Sequence, residues 1–349
     1  MTRWHPARRM AVPLAFPVIL FASTVARAQT SSPPLSPSSP AAPTELGDST
    51  LDLGTPLDPV PRKAQDAGGH SVEAGASPKE EHPQHLSDLT LLDFFSQGWN
   101  QSWEHRHRYT PDMALLRVTT NFLEREFRLD YVHTDTANNA NVDSTDLANA
   151  LLAYGLNRRL MLEVISNYQW NVAPNGTTTS GASGGLLARF QLVDTPTQSY
   201  SFQARVTPAN KGIGQTQTSL TFGLAGWQDM HALVPALGRF GLYGSFQYEN
   251  LVGTHRPGAA ENDVSYDLSI AETWTQPTTP VLGNFTTFFE AFATTLLDGA
   301  NSGKTTVSVT PGIRFWFVPK NSFTVGVDIP VTHVPAFHSV IRANYILNF

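Results

Sequence analysis

The sequence predicts an all-β fold: a transmembrane antiparallel β-barrel of about 12 strands, with a disordered N-terminal periplasmic extension and one short helix. Three observations predict it. Beyond residue 110, segment after segment alternates apolar and polar residues with a period of two, which puts the two sets on opposite faces of a strand. No stretch after residue 28 approaches the roughly 20 apolar residues of a spanning helix, so any crossing of a bilayer falls to closed strands. The last segment, Ser339 to Phe349, sets Ile341, Ala343, Tyr345, Leu347 and Phe349 against Arg342, Asn344, Ile346 and Asn348. A strand ending on an aromatic would be an exposed apolar edge in water. In lipid it serves as the last stave of a barrel, with Tyr345, Leu347 and Phe349 toward the interfacial girdle.

The elements follow in order. Residues 1–28 read as a cleaved signal peptide: Arg3, Arg8 and Arg9 form a basic head, Met10 to Val25 is mostly apolar, and Ala26-Arg27-Ala28 offers small residues for cleavage. Residues 29–85 form a Pro/Ser-rich linker with ten of the 25 prolines and no aromatic residue. Such a segment buries too little apolar surface to offset its ordering entropy, so disorder is expected. Residues 86–108 suggest a short amphipathic helix and candidate plug, capped by Ser87 and presenting Leu91, Leu92, Phe95, Trp99 and Trp103 along one face. Gly98 weakens it.

The barrel is assigned to residues 109–349. Its expected strands are Met113–His133, Leu147–Leu156, Leu160–Trp170, Ala182–Leu192, Tyr200–Pro208 and Gln217–Trp227. Then come Phe240–Asn250, Val264–Trp274, Phe285–Leu296, Thr305–Phe317, Phe323–Val331 and His338–Phe349. The first is irregular: Leu116, Val118 and Phe122 share one phase, and the apolar positions then slip to Phe127, Leu129 and Tyr131. A bulge or break is therefore expected near Leu123. Polar connections such as 171–181, 209–216 and 252–261 follow odd-numbered strands, and tight turns such as 157–159 and 318–321 follow even-numbered ones, with 228–239 and 275–284 longer than usual. The outward phase is nearly free of charge, Glu272 being the main departure.

Composition narrows the function. There is no cysteine, which excludes disulfides, thiolate metal sites and a lipidated N-terminal cysteine. Removing the four arginines of residues 1–28 leaves 19 basic against 29 acidic residues, a net charge of −10 that argues against nucleic acid. The His105-Arg106-His107-Arg108 run lacks the acidic or thiolate partners of a metal centre, so no metal or cofactor is expected. An outer-membrane lipid hydrolase would need a serine and a histidine in reach of each other. His338 and Ser339 are adjacent in a strand and face opposite ways, and no Gly-x-Ser-x-Gly elbow occurs, so catalytic residues are not expected.

Three stretches carry a family resemblance: Thr110-Pro-Asp-Met-Ala-Leu-Leu-Arg-Val118, Tyr154-Gly-Leu-Asn-Arg-Arg-Leu-Met-Leu-Glu163, and Val309-Thr-Pro-Gly-Ile-Arg-Phe-Trp-Phe317 with Val327-Asp-Ile-Pro330 after it. Over roughly residues 110–349 the chain resembles the outer-membrane barrel family named for the meta-pathway of phenol degradation. The resemblance implies a transporter-like barrel connected with aromatic-compound uptake, with no catalytic residues to carry over.

Inward phases hold the candidate lumen lining: Glu163, Arg189, Arg205, Tyr243, Glu249, Asp263, Asp267, Glu290, Arg314, Trp316, Asp328 and Arg342. Mixed signs speak against a single-sign selectivity ring. Aromatic residues Tyr243, Phe288, Phe292 and Trp316 suggest a greasy track for small aromatic solutes. Eight strands are filled by their own side chains and sixteen leave an aqueous channel, so twelve imply a narrow or partly plugged passage. The expected function is passive or facilitated diffusion of small organic solutes through the bacterial outer membrane, with residues 29–108 in the periplasm. The alternative is a barrel that anchors a periplasmic tether. Expected partners are outer-membrane lipid, the barrel-assembly machinery through the C-terminal strand, and the solutes themselves.

Overall fold

A computed structural model describes residues 87–103, 115–136, 142–210, 215–237, 240–253, 258–318, 320–332 and 337–349. The signal peptide, the linker and His105–Arg108 lie outside the described residues. Twelve antiparallel strands close into one barrel, each paired with its sequence neighbours and the first with the last. They are β1 (Arg125–Thr136), β2 (Ser144–Gly155), β3 (Leu160–Val172), β4 (Thr178–Asp194), β5 (Gln198–Thr207) and β6 (Gln217–Asp229), then β7 (Phe240–Gly253), β8 (Asn262–Thr273), β9 (Gly283–Leu296), β10 (Thr305–Val318), β11 (Asn321–Pro330) and β12 (Phe337–Asn348).

Alternation is what makes these segments staves. On β12, Val340, Asn344 and Ile346 are buried inward while Ile341 is exposed outward, and β1 closes the ring through the register Leu129↔Tyr345 and Val132↔Arg342. The outer face carries Leu129, Leu152, Leu162, Val164, Leu186, Phe222, Leu224, Phe246, Leu268, Ile270, Phe289 and Ile341, all exposed. A water-soluble protein would not leave so large an apolar belt uncovered; in a bilayer it is the lipid-facing band of an outer-membrane-type barrel. Glu272 faces outward, as expected, opposite Phe240 and close to the ends of both strands. The inner face is the reverse: Glu163, Arg189, Gln203, Glu290, Thr310, Ser322 and Asp328 are all buried there.

An even number of strands brings both barrel termini to one end, here called the terminal end. The opposite end carries six loops. One of the expected connections is shorter than the sequence implies. Strand β3 runs on to Val172 and β4 starts at Thr178, so most of 171–181 is hairpin rather than loop. The Ser, Thr and Gly residues there are compatible with strand once the backbones pair, as at Asn171↔Thr179. At the terminal end, 230–237 winds into two 3-10 turns, the first capped by Asp229 accepting from the His231 amide.

The first stave differs most. Residues 115–124 are not strand, and β1 starts only at Arg125. The break expected near Leu123 thus falls within two residues, but the chain before it leaves the wall altogether and runs inside the barrel. Leu115, Val118 and Phe122 form one buried cluster with Trp227, Tyr243, Ala271 and Phe288, with Leu116 packed against it. The phase of Leu116, Val118 and Phe122 is therefore that of a core segment, which a strand-based reading takes for a wall.

Of the helix expected over 86–108, the described residues show none. The described part, 87–103, is a succession of turns. Its amides close short turns, Asp93 to Thr90 and Phe94 to Leu91, and side chains of the β2–β3 turn add to them: Arg159 donates to the carbonyl of Gln97, and Asn157 to that of Trp99. Gly98, at φ +85, ends any helical course.

Candidate functional site

The inserted segment is the centre of the candidate site. At its upper end the backbone amides of Arg117 and Val118 donate to the Glu290 carboxylate at 3.0–3.2 Å. The Arg117 guanidinium pairs with Asp328, which also accepts from Arg342 Nε at 2.8 Å and from Thr310 Oγ1 at 2.7 Å. The guanidinium carbon of Arg117 stands 3.6 Å from the centroid of Phe292. Glu290 and Asp328 have no exposed surface. A buried carboxylate is costly unless its oxygens are satisfied, and here the inserted segment supplies much of that satisfaction.

Lower down, Gln247 Nε2 donates to Thr119 Oγ1 at 2.7 Å, Asn121 Nδ2 to the carbonyl of Ser199 at 2.9 Å, and Arg189 Nη1 to that of Phe122 at 3.1 Å. Phe122 meets Trp227 edge to face at 5.8 Å. Wall glycines admit the segment: a Cβ at Gly326 would lie 2.6 Å from Leu116 Cδ1, and one at Gly312 would lie 2.2 Å from the Phe288 ring. Arg189 also bridges Glu163 at 3.0 Å, so one buried ion pair ties β4, β3 and the segment together.

A rim segment follows a different logic. Arg159, wholly buried on the β2–β3 turn, donates to the carbonyls of Gln97, Gln191 and Leu192 at 2.8–2.9 Å. Arg158 reaches Gln101 Oε1 and the Ser87 carbonyl. Leu89 and Asp194 exchange backbone hydrogen bonds at 3.0 and 2.8 Å. Trp103 donates to the carbonyl of Leu123 at 3.0 Å and sits where a side chain at Gly155 would be. Residues 87–103 are thus stitched across the turns of the terminal end.

Each candidate residue now has a place. Glu163, Arg189, Tyr243, Asp267, Glu290, Arg314 and Asp328 are buried on the inner face, and Arg205, Glu249, Asp263, Trp316 and Arg342 share its phase. Glu290, Asp328 and Arg342 gather around Arg117, and Glu163 joins Arg189. Glu249 and Asp263 stand opposite each other across β7 and β8 at the loop end. The aromatic track is not open: Tyr243 and Phe288 pack on the inserted segment, and Phe292 is covered by Arg117. The candidate plug residues lie elsewhere. Leu91 is exposed, Leu92 and Phe95 are 92% and 88% exposed, and Trp99 and Trp103 are half-buried at the rim. Of the C-terminal residues, Tyr345 stacks on Phe317 and Phe349 is exposed.

Arg117, Asn121 and Glu124 escaped the sequence reading, because each was assigned to a first strand that does not exist there. The signal was the phase slip itself. A bulge would account for the slip as well, but a segment that leaves the wall also presents Leu116, Val118 and Phe122 to one partner and Phe127, Leu129 and Tyr131 to another.

The fold defines a closed outer-membrane-type barrel with a chain segment inside it. No family model matches the sequence, and no curated protein matches it either. Among solved structures, an outer membrane channel from Pseudomonas putida F1 is similar at 12% identity and a TM-score of 0.47, covering 70% of this chain and 100% of that one. The KdgM porin is similar at 9% identity and 0.42, covering 64% and 99%, and the NanC porin at 11% and 0.41, covering 64% and 98%. Likeness at this level brings no solute and no residue role across.

Proposed function

We propose that the protein is an outer-membrane passage through which small organic solutes, aromatic ones included, diffuse passively, and that residues 115–124 form its internal gate. The observation that carries this reading is the way the segment is held: by hydrogen bonds and one ion pair to Glu290, Asp328, Gln247, Ser199 and Arg189. A filled barrel of purely structural purpose has no need of a polar seam through its middle; a gate needs contacts that can be exchanged for water or solute. The two-signed polar wall suits solutes that enter and leave without tight binding. The aromatic preference rests on the resemblance of residues 110–349 to the phenol-pathway barrels.

Planar-bilayer recordings test it. The wild-type chain should open rarely, and a variant carrying Glu290→Gln with Asp328→Asn should open often, because the segment loses its charged acceptors while the side-chain volumes stay the same. Deleting residues 29–108 should leave conductance near the wild-type level, since the occluding chain begins after them. Silence in every form, with the barrel folded, would sink the passage. That outcome would favour the second reading, a barrel anchoring its N-terminal arm, which the clamp of Arg158 and Arg159 on residues 87–103 supports.

A further inference from the structure

At the loop end, above the gate, the ends of β10, β11 and β12 surround a partly open cavity of about 40 Å³. Arg117 is the one charged residue on its lining among the described residues. Hydroxyl groups of Thr306, Ser308 and Thr332 and the rings of Phe292 and Phe337 make its walls. Hydrogen bonding does not remove the charge of the carboxylates nearby, but none is on the lining and each has partners of its own. Asp328 is shared between Arg117, Arg342 and Thr310, and the oxygens of Glu290 take the amide hydrogens of Arg117 and Val118. Asp267 holds the hydroxyl of Ser245. Two guanidinium groups thus converge on one carboxylate next to a cavity whose lining, among the described residues, contains no acid.

We infer that this cavity is a docking site for the carboxylate of a small organic acid, which pairs with Arg117 while its apolar body rests against Phe292 and Phe337. The shape suits the chemistry. A guanidinium presents a planar fork of donors that a carboxylate fills with two parallel hydrogen bonds, and the neighbouring hydroxyls supply further donors. The volume accommodates the carboxylate head, leaving the body toward the open side. Arg117 is largely buried and shares the Asp328 oxygen with Arg342, so two positive groups face one carboxylate oxygen. An arriving anion offsets that imbalance. Binding there also competes with Asp328 for the residue that holds the gate, so the same solute that docks would loosen the latch. The inference rests on the passage reading and narrows its solutes to anions.

The experiment is equilibrium titration of the full-length, detergent-folded barrel with benzoate, benzyl alcohol and benzylamine, three probes of nearly equal size. Benzoate should bind about tenfold to a hundredfold more tightly than benzyl alcohol, the range for a charge-assisted hydrogen-bonded pair, and benzylamine most weakly. Arg117→Gln should erase the preference. Because that change also touches the gate, Ser308→Leu provides a second arm: it fills the cavity from β10 without altering Arg117, and should weaken benzoate at least tenfold. Equal binding of benzoate and benzyl alcohol, tighter binding of benzylamine, or benzoate binding untouched by Ser308→Leu would overturn the site. Flux of benzoate into proteoliposomes separates the two proposals. Flux without binding at Arg117 leaves the passage standing and removes the site. Binding without flux does the opposite.

Discussion

Arg189 shows how far a single buried charge is tied to its neighbours. It is almost fully buried, bridged to Glu163, and donates to the Phe122 carbonyl of the inserted segment. Removing one partner leaves an uncompensated charge in the lumen, so Arg189→Met should destabilise the barrel by about 3–5 kcal/mol. Replacing both, as Glu163→Leu with Arg189→Met, should recover most of that loss. Urea unfolding from lipid vesicles reads the difference, and equal midpoints for the single and double variants would show that the pair is not coupled. Val164 tests the opposite face. It is exposed on the outer belt of β3, and Val164→Arg should cost about 2–4 kcal/mol at mid-bilayer depth. The same unfolding assay checks it. The natural Glu272 is tolerated because it stands near a strand end.

At the scale of elements, the inserted segment and the rim segment are held by different means and should fail separately. Phe122 anchors the inserted segment against Trp227. Phe122→Ala removes a large buried side chain, a change of about 3–5 kcal/mol in a closed core. Here it should act mainly on the gate. Conductance events should rise while the folded band on unheated gels persists; loss of that band would mean that the segment is part of the barrel's own stability. The rim segment depends on Arg159. Arg159→Ala abandons the carbonyls of Gln97, Gln191 and Leu192, so chymotrypsin should cut at Phe94 or Phe95 much faster than in the wild type. Unchanged cleavage would show that Arg158 and the Leu89–Asp194 bridge suffice.

For the whole molecule the decisive contact is the seam. Strands β1 and β12 are sequence-distant and must find each other before any edge is removed from water or lipid. Ala343 lies opposite Tyr131 on one side and Val325 on the other. Proline there removes a ladder donor in a strand that has no edge to spare. Ala343→Pro should abolish the compact, heat-modifiable form on gels, whereas Phe349→Ala, outside the paired register, should leave it folded.

The sequence alone determined the staves. Period-two alternation is a local property, and every strand after the first was legible within a few residues, as were the inward positions of Glu163, Glu290, Asp328 and Arg342. The nearly charge-free outer phase likewise declared the solvent for which the barrel is built. Tertiary structure decided what fills the lumen. Leu116, Val118 and Phe122 read equally well as one face of a strand and as a core segment, because apolar spacing records burial without naming the partner. The choice was made by Glu290 and Asp328, more than 170 residues away, which offer the amides of 117 and 118 and the Arg117 side chain acceptors that no neighbouring strand provides. The helix expected over 86–108 was lost for the same reason. Its local amides close only short turns, and Arg159 and Asn157 on the β2–β3 turn hold the carbonyls of Gln97 and Trp99 from outside the segment.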